Sequence, residues 1–108
     1  MGGQRFTLRA SVSTDDPEAV RPVLEERLPL GSVTAGRDAK EFLLRSELVG
    51  PSAKELNRSL LSALRRAEKR TRLRSEWTSG GVTERFFDYV SKGQRPARAE
   101  ATDGAERS

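Results

Sequence analysis

The 108-residue chain contains neither cysteine nor histidine. The first absence removes disulfides and thiolate metal sites. The second removes the commonest general base, the commonest zinc ligand and the side chain that titrates near neutrality. Aromatic residues make up only 6% of the chain, with one Trp and one Tyr, and hydrophobic residues reach 34%. So small an apolar supply limits the core to what two packed layers can share. No run approaches the roughly 18 apolar residues of a membrane span. The opening MGGQRF lacks the apolar centre of a signal peptide. Ser59 and Ser62 have no identifiable base to activate them. These absences predict a cytoplasmic, non-enzymatic protein with no membrane contact, no metal and no small-molecule cofactor.

Charge is what the chain has in quantity. It carries 20 basic and 16 acidic residues, a formal charge of +4 and a pI of about 10.1. The two signs are segregated. Thr14–Arg27 holds five acids against two bases, whereas Arg45–Arg74 holds nine bases against three acids. A basic block of that size is a footprint suited to a polyanion. A soluble arginine-rich helix that binds nothing looks the same.

The longest clean periodicity runs through Ser52–Arg70. Leu56, Leu60, Leu64 and Ala67 recur at steps of four and three, with Leu61 and Ala63 widening the apolar face. Ser52 and Glu55 stand in capping-box relation. The other side carries Arg58, Arg65, Arg66, Lys69 and Arg70. Before this helix, Arg5–Val12 alternates as a half-buried strand, with Phe6, Leu8, Ala10 and Val12 on one side. Asp16 and Pro17 supply an N-cap and a first helical position. Val20, Val23, Leu24 and Leu28 trace the apolar face that follows, and Pro22 either bends that helix or marks where its regular part begins. Ser32-Val33-Thr34 suits a short strand. Glu41–Val49 is a stronger one, with Phe42, Leu44 and Leu48 opposite Leu43, Arg45 and Glu47.

After the central helix, Thr71–Thr78 alternates again and places Trp77 with Leu73 on the core side. Ser79-Gly80-Gly81 reads as a loop. Glu84–Lys92 is expected to be a last short helix, capped by Thr83 and closed by Gly93 at C′, with Phe86, Phe87 and Val90 as anchors. A strand through Phe86–Val90 competes with it. Gln94–Ser108 offers nothing larger than alanine or proline to bury and is expected to be a disordered polar tail. Residues 1–93 then form one α+β domain. The expected architecture is a ferredoxin-like split βαβ sandwich, β-α-β-β-α-β plus a short C-terminal helix, with an antiparallel sheet carrying two helices on one face.

That arrangement leaves the other sheet face uncovered. Arg5, Arg9, Arg45, Arg72 and Arg74 project there, and with Arg65, Arg66, Lys69 and Arg70 of the helix they form the candidate nucleic-acid-binding set. Guanidinium groups hold phosphates by paired hydrogen bonds. Phe6 and Phe42 fall on the buried side and Glu41–Val49 has no glycine-aromatic run, so the base-stacking signature of the RNA-recognition motif is missing. Glu47 and Glu76 share the face and can neutralise part of it across strands. Weaker candidates are an anion site at Gly50-Pro51-Ser52 and a metal site at Asp15, Asp16 and Glu18, both explained as well by helix capping.

Leu56–Arg66, LNRSLLSALRR, following a strand and turn at Glu41–Ser52, resembles the corresponding region of the small dimerising subunit of the KEOPS tRNA-modification complex. The resemblance covers about the first two-thirds of the chain and departs from that family after Arg70. It implies an accessory, dimer-forming protein attached to tRNA-modifying partners, without catalysis of its own. The expected function is a binding domain that contacts RNA or a ribonucleoprotein through its basic surfaces. The alternative is a homodimerising or scaffold subunit of a protein complex whose open sheet is a protein interface.

Overall fold

The structure, a computed structural model, describes residues 3–28 and 31–96. Its elements are β1 (Gln4–Ser13), α1 (Pro17–Arg27), β2 (Ser32–Ala35), β3 (Glu41–Gly50), α2 (Ala53–Ala67), β4 (Arg72–Ser79), β5 (Val82–Phe87) and β6 (Val90–Pro96). The six strands form one sheet in the order β2-β3-β1-β4-β5-β6, with every neighbouring pair antiparallel.

Both helix starts follow from their caps. Asp16 accepts a hydrogen bond from the Ala19 amide at 3.2 Å, and Pro17 begins α1 with its φ already helical. The helix continues through Pro22, which lies on the exposed side. Ser52 accepts from the Glu55 amide at 3.1 Å. The Glu55 carboxylate turns to Arg58, and this hydrogen bond, reinforced by the opposite charge, raises the Arg58 pKa further above its ordinary value.

Alternation along each strand divides the sheet into two faces. Phe6, Leu8 and Val12 of β1, Phe42 and Leu44 of β3, Leu73 and Trp77 of β4 and Phe86 of β5 point inward. They meet Val20 and Leu24 of α1 and Leu60, Leu61 and Leu64 of α2 in one buried cluster, so both helices cover the same face. Trp77 is completely buried and meets the Phe6 ring edge-on, with centroids 6.4 Å apart. Among the described residues no helix is long and apolar enough to cross a membrane.

The C-terminal helix expected over Glu84–Lys92 is not formed; this stretch belongs to β5 and β6. The cause lies in the preceding loop. Gly80 and Gly81 adopt φ values of +59° and +81°. Positive φ at both central positions is the type I′ signature, whose twist matches the strands it joins. β5 therefore folds straight back on β4, and Phe86 and Phe87 take opposite faces of the sheet. Asp88, at φ +56°, begins the turn into β6. Gly93 is not a helix cap. It lies at φ +101° where the β5–β6 register shifts. Gln94–Pro96 are part of β6, and the rest of the expected tail lies outside the described residues.

The glycine turn is directly testable. A Cβ at Gly81 meets no atom within 4 Å, so a substitution there costs only backbone strain. Gly81→Val should lower the unfolding free energy by about 1–2 kcal/mol in urea melts, whereas Gly80→Asn should be close to neutral because asparagine tolerates this region.

Candidate functional site

The uncovered face is defined by cross-strand register. One row crosses five strands: Ser32 opposes Arg45, Arg45 opposes Arg9, Arg9 opposes Glu76, and Glu76 opposes Arg85. The next row contains Thr34, Leu43, Ser11, Arg74, Phe87 and Val90. Towards one end of the sheet Arg5 lies opposite Val49, and towards the other Arg72 lies opposite Ser13. All five strand arginines expected on this face are there. Arg85 is a sixth, which the helical reading of its segment hid.

Their surroundings differ. Arg5 pairs with Glu47 at 3.3 Å with both groups exposed, a contact of little energetic weight. Arg9 and Arg45 are exposed, directly opposed, and paired with no carboxylate among the described residues. Like charges opposite each other on one sheet face are destabilising. The depression between these arginines and Arg74 has a volume of about 570 Å³ and is also lined by Ser11, Ser32, Thr34 and the Glu76 carboxylate; the Thr34 hydroxyl donates to the Leu43 carbonyl. The depression therefore gathers three guanidinium groups, hydroxyls and one carboxylate.

At the β5 side, the guanidinium carbons of Arg72 and Arg74 stand 5.0 and 5.2 Å from the centroid of the half-buried Phe87 ring. Such cation–π contacts join the two groups into a single aromatic and planar cationic surface. Leu43, Val49 and Val90 are 46%, 62% and 58% exposed on the same face.

The helix cations belong elsewhere. Arg65 donates to the Thr71 carbonyl at 2.8 Å, reaches Asp88 at 3.5 Å and lies over Tyr89. Its role is to bind the end of α2 to β4 and the last turn. Arg66 and Lys69 are exposed at the C-terminal end of α2 and in the turn after it. Arg70 pairs with Asp15 at 3.7 Å and shares a depression with Arg72 beyond the end of β1. Arg65 is thus structural, and Arg70 adjoins the strand arginine Arg72 at the rim of the sheet.

The hairpin bearing Arg85 and Phe87 is held by polar groups that periodicity alone does not reveal. Asp88 accepts from the Leu73 amide at 2.9 Å through one carboxylate oxygen and from Arg72 at 2.9 Å through the other. Its own amide donates to the Leu73 carbonyl, and its carbonyl accepts from Asn57 of α2 at 2.8 Å. Asn57 is buried, and its side-chain oxygen accepts from Ser75 at 2.6 Å and from the Trp77 indole at 3.2 Å. Every buried side-chain polar atom among the described residues has a partner. The network fixes β5 relative to α2 and β4, which positions Phe87 and Arg85.

The other candidate sites resolve into structural roles. Ser52 caps α2, and Gly50 packs so closely on Leu56 that an added Cβ would come within 2.6 Å of it. Asp16 caps α1 and Asp15 pairs with Arg70. Among the described residues no group of three or more acidic side chains is placed to hold a metal ion. No protein-family model, curated protein or solved structure matches the chain.

Proposed function

We propose that this protein is a non-enzymatic binding domain that contacts RNA, free or within a ribonucleoprotein, through its open sheet face. The observation that carries this reading is the opposed Arg9–Arg45 pair, neither of them in a salt bridge with a described carboxylate although Glu76 faces Arg9, and flanked by hydroxyl groups. Arg5, Arg74, Arg72 and Arg85 extend the same positive surface. An RNA backbone would relieve the repulsion between the two guanidinium groups, and its affinity would fall as salt competes. Arg66, Lys69 and Arg70 form a secondary basic surface beside it. The order β2-β3-β1-β4 with both helices on one face supports assigning the first six elements to the ferredoxin-like split βαβ sandwich, with the β5–β6 hairpin added at one edge.

A second reading, a dimerising or scaffold subunit, draws on exposed Leu43, Val49 and Val90 and on the resemblance of Leu56–Arg66 to the small KEOPS subunit. Homodimerisation by apposed open faces has an electrostatic obstacle, because it would bring the arginine rows together. Titration with an unmodified tRNA transcript at low and moderate salt separates the readings. RNA binding predicts saturable association at low salt and at least a tenfold loss when salt is raised about fourfold. Absence of binding at low salt, with a dimer in sedimentation, would favour the scaffold.

A further inference from the structure

The two central rows of the open face differ in chemistry. The first presents Arg45 and Arg9 side by side, then Glu76, then Arg85. The adjacent row presents Leu43 near one end and Phe87 near the other, with the Arg74 guanidinium over the ring. Residues two apart along a strand are separated by about 7 Å, and three strand spacings from Arg45 to Arg85 span roughly 14 Å. A charged row and a mixed row, in which Leu43 and Phe87 flank Ser11 and Arg74, therefore run in parallel across the strands, about one nucleotide's breadth apart.

We propose that the occupant of this face is single-stranded RNA, laid across the strands with its phosphates along the Arg45–Arg9–Arg85 row and its bases over the Leu43–Phe87 row. The inference rests on the RNA reading above and adds the state of the strand. Charge complementarity selects a polyanion over a second copy apposed through the same face. Leu43 and Phe87 favour an unpaired strand, since a duplex keeps its base faces stacked inside and would set phosphates against these two side chains. An unpaired base can instead stack on Phe87 and on the guanidinium planes of Arg72 and Arg74. Glu76 divides the charged row into two positive stations, Arg45 with Arg9 on one side and Arg85 on the other. Stacking of this kind tolerates any base, so little sequence preference is expected.

The test uses labelled oligoadenylate, alone and paired with oligouridylate, in anisotropy titrations at one fixed salt concentration. The full chain should bind the single strand about tenfold more tightly than the duplex. Phe87→Leu keeps an apolar side chain on the hairpin and should abolish that preference, while Phe87→Tyr should retain it. Duplex binding as tight as single-strand binding, or an unchanged preference in Phe87→Leu, would overturn the inference while leaving the RNA reading intact. Failure of both RNAs to bind at low salt would overturn both proposals.

Discussion

Asp88→Ala should lower the unfolding free energy by about 3 kcal/mol, the largest effect expected of any single exposed or half-exposed residue in the C-terminal hairpin. The Asp88 side chain is 18% exposed and meets Leu73, Arg72 and Arg65 at once. Removing the carboxylate leaves the Leu73 amide without its acceptor, at a cost of about 1–3 kcal/mol. Alanine at φ +56° adds about 1–2 kcal/mol of backbone strain. Two controls separate these contributions. Asp88→Gly relieves the strain and loses the carboxylate, so it should fall between the wild type and alanine. Asp88→Asn keeps an oxygen for the Leu73 amide and tolerates the conformation, so it should cost about 1 kcal/mol. Urea melts give the magnitudes, and exchange of the Leu73 amide with solvent locates the defect. An alanine variant as stable as the wild type would show that Asp88 does not anchor the hairpin.

Joint replacement of Arg9 and Arg45 by alanine should act in the opposite way. Both side chains are exposed; the two guanidinium groups face each other, and Arg9 also faces Glu76. Relief of the like-charge pair and loss of the Arg9–Glu76 attraction oppose each other, so stability should change by no more than a few tenths of a kcal/mol. RNA affinity at low salt should nevertheless fall by about 10- to 100-fold, since each guanidinium contributes a charge-assisted contact to phosphate. Stability held while binding is lost is the pattern of residues kept for a ligand. Arg72 is a poorer probe because it also holds Asp88, so its loss weakens the hairpin and the surface together.

How much of this was legible from residues alone depended on periodicity. β1, β3 and β4 alternate cleanly, and the caps of α1 and α2 are ordinary side-chain acceptors followed by apolar faces. Those features placed Arg5, Arg9, Arg45, Arg72 and Arg74 on one face. The structure differs from the helix expected over Glu84–Lys92 because apolar residues at Phe86, Phe87 and Val90 fit a helical spacing as well as a strand pair. The decisive signal is Gly80-Gly81, a two-residue hairpin turn between alternating runs. That turn brings Arg85 and Phe87 onto the open face, where a helix over the same residues would make Phe87 an anchor against the core. The Asn57–Ser75–Trp77 and Asp88 contacts join α2, β4 and the last turn, positions far apart in the chain, and no local pattern announces such a network. Arg65 illustrates the same limit, since its helical position resembled that of Arg66 while its partners make it structural.

The salt dependence of RNA binding addresses the role of the sheet arginines most directly. Affinities of the full chain and of the Arg9→Ala/Arg45→Ala variant for one single-stranded RNA are measured across a salt series, and the logarithm of each is plotted against that of the salt concentration. Two lost phosphate contacts should reduce the slope by about 1.4. Equal slopes and equal affinities for the two proteins would mean that phosphates do not meet this face, and would contradict the account.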